Sequence, residues 1–115
     1  MRTRSHQRLL LPLSEPRVGA LVLEVAEELG WQLERRAPGR FVLQEDATKL
    51  HCHGSPIEVS IELSADDGET EVRIEGTVPG RGPISRKHVE ERTDALTRKL
   101  GLAAIREKLG PASSR

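Results

Sequence analysis

Two runs of alternating apolar and polar residues lie in the middle of the chain, at positions 57–64 and 70–78. Alternation with a period of two is typical of a β-strand that buries one face. The residues between the runs include Asp67-Gly68, a pair that suits the left-handed backbone of a tight turn. The pattern predicts an antiparallel hairpin with one aliphatic face that another element must cover. That face consists of Ile57, Val59, Ile61, Leu63, Val72, Ile74 and Val78.

A helix is predicted directly after the first apolar segment of the chain. It begins at Ser14, a suitable N-cap residue, and Pro16 lies in its first turn. Apolar residues then recur at i, i+3, i+4 and i+7 from Val18 to Leu29, and Gly30 ends the helix. This stripe suits the aliphatic face of the hairpin.

A second helix is predicted near the C-terminus, with Ser85 as its N-cap and Gly110-Pro111 as its end. Val89, Leu96 and Leu100 form the apolar stripe that one buried side needs. Three more apolar residues drift onto a neighbouring face, so the helix is expected either to bend at Gly101 or to expose a second apolar edge. They are Leu102, Ile105 and Leu109, which we interpret as a self-association interface.

The remaining strands are predicted at 9–13, 31–35 and 41–45, with a fourth that runs from Lys49 to Ser64. Pro12 places the first of these at a sheet edge, because proline has no N–H to donate to a neighbouring strand. In the fourth, the apolar residues Leu50 and Cys52 occupy even positions, whereas the apolar residues from position 57 occupy odd ones. A bulge or bend is therefore expected at 54–56.

The resulting order is β-α-β-β-β-β-α. It predicts an α+β fold with a mostly antiparallel, twisted sheet and two helices on one face. This order resembles the helix-grip folds, such as the Bet v 1-like and START-type domains, and also the TATA-binding-protein fold. The resemblance is one of topology, since no residue motif identifies a family, and it implies no particular function. We expect a flexible basic arm at 1–6, a single domain at 7–110 and a flexible tail at 111–115.

Composition narrows the function classes. The chain has 115 residues with one Phe, one Trp and no Tyr, so the core must be aliphatic. A formal net charge of zero argues against binding to nucleic acid or to an anionic membrane. A single cysteine, Cys52, excludes an internal disulfide and a four-cysteine zinc site. With no visible targeting segment, a cytoplasmic location is expected.

The run His51-Cys52-His53 is a candidate for a metal site. Two imidazoles on one side of a strand could bind one ion, but zinc needs three or four ligands. The others would have to come from Glu45, Asp46 or His88. The alternative is that Cys52 packs inward while both histidines face water, and we therefore expect neither a metal nor a cofactor.

The segment that leads into the second helix is a candidate anion-binding site. Glycines and free amides at a helix start, with cationic side chains nearby, favour an anion. The residues concerned are Arg81, Gly82, Ser85, Arg86, Lys87 and His88. The alternative is a tight strand-to-helix connection with a solvated basic rim.

Charge is unevenly distributed along the chain. Residues 41–80 carry nine acids against two bases, whereas residues 85–109 carry seven bases against four acids. An acidic sheet without aromatic residues would repel nucleic acid, and a basic partner or a second copy of the chain is easier to reconcile with it. No arrangement of residues predicts a catalytic site. Our leading hypothesis is a non-enzymatic protein-interaction or self-associating module; the alternative is a small-ligand carrier or enzyme of helix-grip type, with a cavity between the C-terminal helix and the sheet.

Overall fold

The computed structural model describes residues 2–45, 57–79 and 83–113. The elements are β1 (Arg2–Leu11), α1 (Glu15–Glu28), β2 (Trp31–Ala37), β3 (Arg40–Glu45), β4 (Glu58–Asp66), β5 (Glu69–Pro79) and α2 (Pro83–Ser113). The five strands form one antiparallel sheet in the order β1-β5-β4-β3-β2. The predicted α+β helix-grip architecture is confirmed.

The central hairpin of β4 and β5 forms as its alternation predicts. Asp66 pairs with Glu69, and the two residues between them have positive φ angles, 51° at Asp67 and 86° at Gly68. The odd-numbered residues from 57 to 63 and the even-numbered residues of β5 are buried against the helices. The side chains of Ile57, Val59, Ile61, Val72 and Ile74 are completely inaccessible to solvent.

Helix α1 covers this aliphatic face with the stripe that its sequence predicts. Its buried residues are Val18, Leu21, Val22, Val25 and Ala26. The backbone carbonyl of Ser14 accepts the first helical hydrogen bond, from Val18 N–H at 3.0 Å. Ser14 is the N-cap residue, as predicted, although its hydroxyl makes no capping hydrogen bond. Gly30, with φ of 83°, follows the helix in the conformation that glycine favours.

The N-terminal strand is longer than its apolar residues indicate. Residues 2–6, expected to be a flexible arm, belong to β1, whose register with β5 runs from Arg2–Pro79 to Leu11–Thr70. Backbone pairing does not require apolar side chains, and here polar residues lie on both faces. Pro12 follows the strand rather than lying inside it.

Helix α2 also extends beyond both predicted limits. It begins at Pro83, so Ser85 lies inside the first turn instead of capping it. Proline is favoured at the first helical position because its missing N–H would have no partner there. The helix continues through Gly101 and past Gly110-Pro111 to Ser113. Pro111 has no N–H, so the last turn lacks one helical hydrogen bond there. The bulge predicted at 54–56 lies outside the described residues.

In the described part of the chain, neither helix contains an apolar stretch long enough to cross a lipid bilayer.

Candidate functional site

A carboxylate is buried at the end of β3. Alternation along this strand directs Phe41 and Leu43 toward the helices, and Glu45 continues on the same face. Only 4 % of its side chain is exposed. A buried charge is costly unless charged or hydrogen-bonding groups surround it.

Three groups surround this carboxylate, one next to the start of β4 and two on α2. Glu45 Oε1 accepts the backbone N–H of Ile57 at 3.0 Å and lies 3.3 Å from His88 Nε2. Glu45 Oε2 accepts Arg92 Nε–H at 2.9 Å. His88 and Arg92 are four residues apart and therefore share one face of α2. Arg92 Nη2 also donates to the Leu29 carbonyl at 3.3 Å, which ties α2 to the end of α1.

Trp31 completes this group, which we call the Glu45 cluster (Trp31, Glu45, His88 and Arg92). It pairs directly with Glu45 in the β2–β3 ladder and is 5 % exposed. The Arg92 guanidinium lies over its ring, 5.0 Å from the centroid, in a cation–π arrangement. The indole Nε1–H is buried and finds no acceptor among the residues that the structure describes. An unsatisfied buried donor costs about 1–3 kcal/mol.

A groove of about 740 Å³ runs between α1 and α2; we call it the interhelical groove. Its apolar lining comes from Leu21, Val25, Leu29, Ala95, Leu102 and Ala103. Two ion pairs connect the helices across it, Arg17 with Glu107 and Lys99 with Glu28, the latter at 3.3 Å. Leu29 both lines the groove and binds Arg92 through its carbonyl, so one end of the groove adjoins the Glu45 cluster.

The groove does not lie where the helix-grip alternative placed a cavity, between the C-terminal helix and the sheet. Gly76 of β5 faces α2 so closely that a β-carbon there would lie 3.2 Å from Val89 Cγ2 and would overlap the Thr93 hydroxyl. Within the described residues, α2 thus rests directly on β5, and ligand-sized space opens between the two helices.

The acidic outer face of the sheet is partly neutralised by arginines from neighbouring strands. Arg40 of β3 pairs with Glu62 at 2.7 Å, and two arginines of β1 pair with β5, Arg8 with Glu71 and Arg4 with Glu75 at 3.8 Å. The hydrogen bond from Arg8 holds the pKa of Glu71 below its usual range. Counting charges along the sequence missed these pairs, because strands that adjoin in space are distant in the chain. The case for a basic partner is correspondingly weaker.

The residues predicted for a metal site are only partly described. His51, His53 and Asp46 lie outside the described residues, whereas Glu45 and His88, named as additional ligands, do come together. Where the structure describes side chains, no group of three His, Cys, Asp or Glu residues could hold a metal ion.

The candidate anion site and the candidate interface are described in part. Of the anion-site residues, Arg81 and Gly82 and the side chain of Ser85 lie outside the description, and Arg86 and Lys87 are exposed. His88 instead faces Glu45. In the candidate interface, Leu102 and Ile105 are each 55 % exposed, and the side chain of Leu109 is not described.

Sequence reasoning missed the roles of Trp31 and Arg92. The alternation of β3 contained a usable signal, since residues 41, 43 and 45 share a face. The spacing of His88 and Arg92 is a second one, because residues four apart lie together on a helix. Neither pattern indicates which residue of α2 meets which residue of the sheet.

Comparison with known proteins supports the fold alone. No protein-family model and no curated protein matches the chain. The solved structure of Ara h 8.0201 is similar with a TM-score of 0.57 at 9 % identity, covering 91 % of this chain and 99 % of that one. The ZhuI aromatase/cyclase from Streptomyces sp. R1128 is similar with a TM-score of 0.58 at 10 % identity, covering 92 % and 95 %.

DynU16, from the dynemicin biosynthetic locus, gives a TM-score of 0.64 at 12 % identity over 93 % of this chain. The match spans 48 % of DynU16, so this chain corresponds to about half of that protein. These likenesses are to helix-grip proteins, and they agree with the strand order and the long C-terminal helix described above.

Proposed function

We propose that the protein binds a small, mostly apolar organic ligand in the interhelical groove. The observation that carries the proposal is the groove itself, about 740 Å³, lined by six apolar and seven charged residues. Ligand pockets in proteins are typically about 300–1,000 Å³ and are lined mainly by apolar side chains. The similarity to helix-grip structures, one of them an aromatase/cyclase, supports a ligand-binding role over a purely structural one.

The exposure of Leu102 supports this assignment. Leu102 lines the groove and is 55 % exposed, whereas Leu21 and Val25 on the opposite wall are almost fully buried. A ligand in the groove would cover Leu102 and extend the core between the helices. Burial of one such side chain contributes about 1.5–3 kcal/mol.

Nile red, an uncharged apolar dye, tests the proposal through its fluorescence. The chain offers a matched pair of variants, because Leu102 and Ile105 are equally exposed on α2 but only Leu102 lines the groove. We expect Leu102→Glu to weaken dye binding at least about tenfold, the equivalent of 1.4 kcal/mol. Ile105→Glu should change the affinity less than twofold.

Circular dichroism of both variants verifies that they fold. The proposal is wrong if the wild type does not bind the dye at micromolar concentrations, or if both variants lose binding to the same extent. Perturbation of the amides of Leu21, Val25 and Ala103 in an NMR titration would place the dye in the groove directly.

A second candidate function is self-association through the C-terminal half of α2. Ile105 favours it, since this residue is 55 % exposed and does not line the groove. The role would then resemble the interaction module that the sequence suggested, and its test is given in the Discussion.

A further inference from the structure

We infer that Trp31 Nε1–H and Arg92, at the end of the interhelical groove, bind an uncharged carbonyl oxygen of the ligand. The inference rests on the proposed function, because the rest of the ligand would lie in the groove. It names the chemistry of one ligand group, a ketone, ester or amide oxygen.

The indole donor of Trp31 is unsatisfied among the residues that the structure describes. Trp31 Nε1–H is buried, and no acceptor from the described residues reaches it. The nearby carboxylate of Glu45 is already occupied by Ile57 N–H, His88 and Arg92. Buried donors in native proteins nearly always have a partner. A bound acceptor oxygen would supply the missing one.

Arg92 has N–H donors that no described residue accepts. A guanidinium has five N–H donors, and among the described residues Glu45 and Leu29 accept one each. Arg92 lies over the Trp31 ring and its side chain is 30 % exposed, so a ligand can reach its free donors. Leu29 connects the groove to this point, because it lines the groove and its carbonyl accepts a hydrogen bond from Arg92.

The charge balance between Glu45 and Arg92 decides which kind of ligand group suits this site. Glu45 and Arg92 form a pair with no net charge, and Glu45 is buried. A ligand carboxylate beside Trp31 would lose its hydration shell next to the Glu45 carboxylate, whose charge already balances that of Arg92. A carbonyl oxygen accepts the same hydrogen bonds without adding a charge. The geometry therefore favours a neutral acceptor over an anion.

The single tryptophan makes this testable, because the chain has one indole N–H resonance. Three probes of equal length separate the contributions: 2-octanone carries the carbonyl, 1-octene lacks it, and octanoate replaces it with a carboxylate. In titrations of 15N-labelled full-length protein, we expect 2-octanone to move the indole proton downfield with saturation. All three should perturb the groove amides, with 1-octene leaving the indole proton nearly unmoved.

Trp31→Phe is the decisive variant, since it keeps an aromatic ring beneath Arg92 and removes only the N–H donor and part of the ring. Affinities are then read from the groove amides. We expect 2-octanone to bind Trp31→Phe about 3–10-fold more weakly than the wild type, the range that one net hydrogen bond supplies. Binding of 1-octene should be unchanged.

The outcomes distinguish this inference from the proposed function. If 1-octene and 2-octanone bind equally and the indole proton does not move, the carbonyl assignment is overturned while the groove remains a binding site. If octanoate binds more tightly than 2-octanone and moves the indole proton, the site binds anions instead. If no probe perturbs the groove amides, both proposals are wrong.

Discussion

Gly76 of β5 lies directly beneath Thr93 of α2, with no room for a side chain between them. A β-carbon at position 76 would overlap the Thr93 hydroxyl and approach Val89 Cγ2 to 3.2 Å. Thr93 cannot easily turn away, because its Oγ1 donates to the Val89 carbonyl at 2.6 Å and the residue is completely buried. The absence of a side chain at Gly76 thus sets how closely the long helix approaches the sheet.

Gly76→Ala is expected to destabilise the fold by about 1–3 kcal/mol, the usual range for overpacking a core. Urea unfolding followed by circular dichroism measures the change. Gly101→Ala is the matched control, since a β-carbon there would meet no atom within 4 Å. Because glycine lowers helix stability by about 1 kcal/mol relative to alanine, that variant should be slightly more stable than the wild type. Equal effects of the two substitutions would contradict the contact.

The buried pair of Glu45 and Arg92 should show strong coupling. Arg92→Leu leaves the Glu45 carboxylate buried with only His88 and one amide, so we expect a loss of about 3 kcal/mol. Replacing both residues by leucine removes the uncompensated charge as well. The double variant should therefore be more stable than Arg92→Leu alone, which denaturant unfolding of the four chains in a double-mutant cycle measures. Additive losses would show that the two side chains act independently.

The sequence predicts the parts of this fold that depend on local periodicity better than the parts that depend on contacts between distant segments. The hairpin, α1 and the fold class follow from local periodicity, and β4 and β5 match their alternation residue by residue. The first strand was predicted too short, because Arg2 to His6 carry no apolar signal and are ordered by pairing with β5. Local patterns show which face is buried and contain little information about pairing between distant segments.

The same limit applies to the candidate site. The alternation of β3 turns Glu45 inward, but its partner Arg92 lies 47 residues away. Trp31 reads as an ordinary core aromatic until its N–H is found without an acceptor among the described residues. The groove is even harder to predict from the sequence, because it depends on how two helices lie beside each other.

Stability should depend on pH through Glu71. The hydrogen bond from Arg8, together with the charges of Arg8 and Arg73, lowers the pKa of Glu71 in the folded protein below its ordinary value of 4.5. A depressed folded-state pKa stabilises the fold above the unfolded pKa, and the contribution is lost as the pH falls through the folded value. The stability difference between wild type and Glu71→Gln should therefore be present at pH 6–7 and shrink below about pH 4.

Carboxyl NMR titration verifies the cause. In Arg8→Gln, the pKa of Glu71 should rise toward 4.5, because the main contact that lowers it is gone. An unchanged Glu71 titration in that variant would assign the shift to Arg73 instead. The effect on stability should be small and should weaken with added salt, since the pair lies on the surface.

The exposed apolar residues of α2 lead us to predict that the protein self-associates. Leu102 has an explanation within one chain, because it lines the interhelical groove, whereas Ile105 does not line it and is 55 % exposed. Contiguous apolar surface on a soluble protein commonly marks an interaction site. If a second copy covers this surface, sedimentation equilibrium of the wild type should show a weak monomer–dimer equilibrium, and Ile105→Glu should shift it to monomer.

A wild type that remains monomeric at millimolar concentration would refute this prediction. If the dimer does form, its interface lies next to the ligand groove, because Leu102 borders the groove and is one helical turn from Ile105. Addition of 1-octene should leave the dimer intact if Ile105 alone mediates the contact. If the ligand dissociates the dimer, Leu102 must serve both surfaces, and the groove of one chain would be closed by its partner.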